Sequence, residues 1–221
     1  MSFAHWGLSP FVLLGVSIVG KLTDGLIGWN KIQLIVKISI NMMYLVTALF
    51  DENTTSYFQQ LISEMSAVSG NDFMMTNHIP PHLTLLQVHS RLDFGTIVSV
   101  FEDSFASECI EEVVFKAVQS KIPHVFYVSV DINEWLLKIN KKLFDSFTSL
   151  DRTIVNQLYA PGCFYPHVAL VKRLDDLQRK GLQDFLKFIS LPDSGKIVRI
   201  ELTEGNPPNK LCEVILPRRN Q

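Results

Sequence analysis

A six-residue phrase occurs twice in this chain, as PHLTLL at positions 81–86 and as PHVALV at positions 166–171. Pro, His and Leu fall at the same offsets. The other positions are apolar in both copies, except that Thr84 corresponds to Ala169. The copies lie 85 residues apart, about half of the regular part of the chain. A repeat at that distance is what two similar halves produce when each supplies one strand to a shared groove. Proline keeps the residue before it extended, so Pro80-Pro81 leads into a strand at His82–Val88. Alternate residues of a strand share a face. His82 and Thr84 therefore project together, while Leu83 and Leu85 turn into a core.

The segments around the two copies alternate between helix and strand signals. Tyr44–Phe50 reads as a buried strand. Asp51–Thr55 caps a helix running to about Val68, with Phe58, Leu61, Ile62 and Met65 on one face, and Gly70-Asn71 stops it. Phe94, Ile97, Val98, Phe101 and Phe105 recur at helical spacing. Val113–Val118 and His124–Val130 read as strands joined by a turn at 121–123, and a helix follows over about Asn133–Phe147. After the second copy, at His167–Lys172, come a helix over about Leu174–Ile189 and strands at Ile197–Thr203 and Leu211–Leu216. The turn Gly205-Asn206-Pro207-Pro208 joins those strands. The order lacks the strict βαβα rhythm of a doubly wound parallel sheet. It implies an α+β fold of antiparallel sheet with helices on one face.

Residues 1–42 stand apart as an unassigned apolar extension, and residues 43–221 as the domain. Phe11–Gly20 is apolar but far shorter than the ~20 residues of a membrane span. The first cation, Lys21, follows that run instead of preceding it, unlike a secretory signal. Membrane association of residues 1–42 is thus disfavoured but open. Of the 20 cations and 22 acids, three cations and one acid lie in the extension, so the domain carries an excess of four acids. That excludes a general nucleic-acid coat, though not a cleft for one phosphate. The three cysteines, Cys109, Cys163 and Cys212, are odd in number and lack metal-ligand spacing. They read as reduced thiols of a cytoplasmic protein.

Imidazole exchanges a proton near neutral pH, and a hydroxyl two residues on can donate to a phosphoryl oxygen beside it. One histidine in a strand is usually structural. Two at matching strand heads suit proton transfer on both sides of a phosphodiester, with no metal and no cofactor required. Of the remaining histidines, His78 precedes the first motif and could line the groove. His89, at an odd offset from His82, should face away, and His124 should be structural. His5 lies in the extension. Arg91, Lys172 and Arg173 follow the motif strands, and Lys172 is the foremost candidate for phosphate binding.

With its opening strand and helix, NHIPPHLTL at 77–85 and FYPHVALVK at 164–172, the chain resembles the 2H phosphoesterase superfamily, in its bacterial 2′-5′ RNA ligase-like branch, over about Tyr44–Leu216. The resemblance implies a bilobal α+β fold with two pseudo-symmetric lobes about a central cleft. It also implies action on 2′-5′ or 2′,3′-cyclic phosphodiesters of RNA ends or small nucleotides. The protein is expected to be a monomer. His82 and His167 become the acid/base pair and Thr84 a phosphate-binding hydroxyl. Ala169 departs from the expected Thr or Ser. Loss of one such donor costs on the order of 3 kcal/mol, about a hundredfold in rate. A backbone N–H, a water, Tyr165 or Lys172 can substitute; alternatively, the domain is a nucleotide or RNA-end binding module with little turnover.

Overall fold

The computed structural model describes residues 15–16, 38–39 and 42–219. Two short strands, β1 (Gly15–Val16) and β2 (Ile38–Ser39), pair with each other. Otherwise the expectations for residues 1–41 fall outside the described residues. The main body runs β3 (Met42–Phe50), α1 (Glu52–Ser69), α2 (Phe73–Thr76), β4 (His82–Ser90), α3 (Phe94–Phe105) and β5 (Glu111–Gln119). It continues with β6 (Val125–Val130), α4 (Glu134–Thr148), β7 (Thr153–Val155), β8 (His167–Lys172), α5 (Asp176–Phe185), β9 (Ser194–Glu204) and β10 (Asn209–Ile215). The fold is α+β, and its main sheet is wholly antiparallel with eight strands.

Four helices begin at an Asp or Asn whose side chain accepts a backbone N–H of the first turn: Asp51, Asp93, Asn133 and Asp175. Each satisfies a donor that the helix leaves unpaired. Asp51 reaches further, since its second carboxylate oxygen accepts from the Lys196 N–H at 2.9 Å and ties α1 to β9. α1 stops at Gly70, whose φ of 69° suits glycine.

The pseudo-repeat is visible in the topology. Strand, helix, strand, helix, strand occurs as β3-α1-β4-α3-β5 and again as β6-α4-β8-α5-β9, with small elements inserted. Neighbouring strands run β9-β3-β4-β8-β6-β5, and β5 pairs back onto β9, so the six close into a ring. The two halves thus share one sheet. Their seam is thin, since β4 and β8 pair only at Leu83 and Val168. Both side chains are fully buried in the core formed with the helices, with Leu86, Leu170, Phe58, Leu136 and Leu143. Among the described residues no helix is long and apolar enough to cross a membrane.

Candidate active site

The antiparallel pairing of Leu83 with Val168 fixes what lies on the opposite face of the seam. One residue to either side, Thr84 stands opposite His167 and His82 opposite Ala169. The two motifs therefore form a square: His82 and Thr84 along one edge, Ala169 and His167 along the other. The histidines occupy one diagonal, where residues of such a pair lie about 7–8 Å apart and their Cβ atoms somewhat closer.

Each histidine is held in the same way. His82 Nδ1 donates to the Pro80 carbonyl at 2.7 Å, and His167 Nδ1 donates to the Tyr165 carbonyl at 2.9 Å. A carbonyl only accepts, so the proton resides on Nδ1 and Nε2 is left free for proton transfer. The prolines of PHLTLL and PHVALV open the strands that set this geometry. His82 is buried and His167 half-buried. Burial, the Lys172 charge and His167 push the His82 pKa down to about 4, against the opposing Pro80 hydrogen bond. Burial also lowers that of His167, the Tyr165 hydrogen bond opposes it, and Lys172 adds to the lowering.

A β-bulge occurs at the same place in both motifs. Thr47 pairs with Thr84 and Val46 with Leu86, leaving Leu85 unpaired. Tyr127 pairs with Ala169 and Phe126 with Val171, leaving Leu170 unpaired. One extra residue reverses the alternation beyond it. The bulges bring Gln87 and Lys172, five residues after each histidine, onto the histidine face. Regular alternation would have sent Lys172 into the core. The same device corrects the expectation for His89: it pairs with Met43 and shares the face of His82, at the far end of β4.

A cavity of about 160 Å³ is lined by His82, Thr84, Gln87, Tyr159, Lys172 and Asn206, among others. Burial raises the pKa of the Tyr159 phenol, partly offset by the Thr84 hydroxyl beside it. Burial lowers that of Lys172, and Arg173 adds to the effect. His167 does not line this cavity. It stands beside it, stacked on Tyr165 with ring centroids 6.1 Å apart and edge-on to Tyr127 at 5.0 Å. Tyr165 is exposed and Ala169 buried. His78 is exposed and lines a second chamber that also contains His82. Arg173 lies with its guanidinium 4.1 Å from the Phe73 ring centroid, outside the first cavity. Arg91 lines neither chamber. His124 Nδ1 donates to the Leu174 carbonyl at 2.7 Å, a link between β6 and the start of α5.

Gln87, Tyr159 and Asn206 also line the cavity, and none of them carries a signal of this in the sequence. Tyr159 sits in the 3₁₀ turn Gln157–Tyr159, and Asn140 Nδ2 donates to its carbonyl at 2.8 Å. Asn206 lies in the β9–β10 turn, whose Gly-Asn-Pro-Pro sequence signalled a turn but not what it overhangs. Among the described residues no three of His, Cys, Asp and Glu come together as a metal ion requires.

The fold matches solved structures. TT0787 of Thermus thermophilus superposes with a TM-score of 0.56 at 13% identity, over 81% of this chain and 100% of that one. E. coli LigT complexed with 3′-AMP gives a TM-score of 0.51 at 11% identity, over 80% of this chain and 99% of LigT. A crystal structure described as a phosphoesterase gives 0.50 at 10% identity, over 80% and 99%. At these identities the fold is what is shared. No family model and no curated protein matches the chain.

Proposed function

We propose that residues 43–221 form a metal-independent phosphodiesterase, acting on 2′,3′-cyclic or 2′-5′ phosphodiester bonds of RNA ends or small nucleotides through His82 and His167. The observation that carries this reading is the pair of matched imidazoles, each with Nδ1 fixed by a carbonyl two residues back, on one diagonal of a single face. The likeness in fold to LigT, solved with 3′-AMP and with phosphate, supports a nucleotide phosphate as the ligand.

The phosphodiester sits between the imidazoles. One Nε2 takes a proton from the attacking water as its oxygen bonds to phosphorus. The other imidazole, protonated, gives its proton to the ester oxygen that leaves. His82 is buried and held neutral at pH 7, which suits the accepting role. His167 is less buried and takes the donating role. Thr84 and Lys172 stabilise the equatorial oxygens as charge develops. The place opposite His82, where a second hydroxyl belongs by symmetry, is the Ala169 methyl. Lys172, carried to this face by the Leu170 bulge, supplies positive charge in its stead.

Ala169 also favours a second reading, a nucleotide-binding module with little turnover. Hydrolysis of a 2′,3′-cyclic nucleotide in the presence of a chelator decides between them. The enzyme reading expects product from the wild-type chain and a gain of about tenfold to a hundredfold in kcat for Ala169→Thr. Saturable binding with no product from either protein favours the binding module.

A further inference from the structure

A second chamber, of about 230 Å³, adjoins the first across His82 and Pro208, which line both. Its other walls include Thr47, Glu201, Thr203 and Lys210. These side chains belong to the histidine face by register. Glu201 pairs with Thr47, and Thr47 with Thr84. The backbone of Glu201 thus lies two strand spacings, about 10 Å, from that of Thr84, whose hydroxyl is assigned to phosphate.

The chamber holds polar groups whose hydrogen-bonding capacity the fold leaves unused. Thr203 is 4% exposed, and its buried Oγ1 has no hydrogen-bond partner among the described residues. Glu201 is 7% exposed. Both its cationic neighbours approach the same oxygen, Oε1: Arg199 Nε at 3.3 Å and Lys210 Nζ at 3.9 Å. Those cations are shared with Glu213, at 3.4 and 3.3 Å. Among the described residues no hydrogen bond reaches Glu201 Oε2. A buried hydroxyl without a partner is costly for folding alone, because it is desolvated without compensation. Beside it stands a carboxylate oxygen with accepting capacity to spare. A ligand that donates to the carboxylate and pairs with the hydroxyl satisfies both.

We infer that this chamber is the nucleoside subsite of the proposed enzyme, in which Glu201 accepts a hydrogen bond from the sugar or base attached to the scissile phosphate and Thr203 completes the contact. The inference rests on the phosphodiesterase reading for the position of the phosphate, and its test does not require turnover. A cavity of about 160 Å³ beside His82 leaves the nucleoside to be housed elsewhere, and the chamber across His82 shares His82 and Pro208 with it as walls. The subsite selects hydrogen-bond donors, a property shared by ribose hydroxyls and by base N–H groups.

The test measures equilibrium binding of the four nucleoside 3′-monophosphates and of inorganic phosphate to the full chain and to Glu201→Gln and Thr203→Val, with thermal unfolding to establish that each variant is folded. Removing a negative charge near an anion site should strengthen phosphate binding or leave it unchanged. The proposal expects the opposite for nucleotides: at least tenfold weaker binding in Glu201→Gln and a several-fold loss in Thr203→Val. Equal loss for all four bases assigns the donor to the ribose, and loss confined to particular bases assigns it to their N–H groups. Nucleotide affinities that follow phosphate, unchanged or increased in Glu201→Gln, would overturn the subsite. Intact Glu201-dependent binding without hydrolysis would overturn only the catalytic reading.

Discussion

His82 shows how a single buried side chain links the site to the stability of the fold. Its pKa of about 4 in the folded chain lies below the ordinary value of 6.5. Well above pH 6.5 it is neutral whether folded or unfolded and contributes no pH dependence. Between 6.5 and about 4 the unfolded chain binds a proton that the folded chain refuses, so stability falls as the pH falls. One such group is worth about 1.4 kcal/mol per pH unit, or roughly 2 kcal/mol between pH 6.5 and 5. Urea unfolding at these two pH values should show a smaller decrease for His82→Asn than for the wild-type chain, by about that amount. Equal decreases would contradict the assigned pKa. At this scale the sequence was informative. His82, His167, Thr84 and Ala169 were legible because Pro-His at a strand head recurs and strands alternate. Glu201 and Thr203 were not, because nothing local tells which strand lies beside β3.

Among elements, the seam between β4 and β8 and the paired bulges set the geometry. Leu83 and Val168 are the one pair joining these strands, each wholly buried, and their backs carry the histidine square. Truncating either to Ala should cost roughly 2–4 kcal/mol. Because the two touch the same seam, a double-mutant cycle in denaturant should give a coupling energy of at least about 0.5 kcal/mol; simple additivity would argue against the packing described. The helices and most strands were readable from apolar spacing and from Asp or Asn caps. The expectation for α5 ran on to Ile189, whereas the α-helix ends at Phe185 and passes into a 3₁₀ turn over Leu186–Phe188. α2 and β7 were not foreseen, being four and three residues long, too short for a periodic signal. The bulges at Leu85 and Leu170 were also invisible. A bulge is a mismatch between two strands, and a leucine in either strand gives no hint of it. Hence His89 was assigned to the wrong face, and Lys172 was singled out for its charge and not for the device that delivers it.

In the molecule as a whole, two strand-helix-strand-helix-strand halves close one ring of antiparallel strands, with the helix-packed core on one face and the paired motifs on the other. The repeat announced two halves, but the closure of β5 onto β9 follows from pairings far apart in sequence, which composition does not encode. The central claim is that His82 and His167 act as one unit on a phosphodiester. Groups that act as a unit lose their function together when either is removed. The direct measurement is kcat/KM for a 2′,3′-cyclic nucleotide, with chelator present, for wild type, His82→Ala, His167→Ala and the double variant. Each single substitution should lower it by roughly 10²–10⁴-fold, and the double by little more than either alone. Full activity in either single variant would contradict the account.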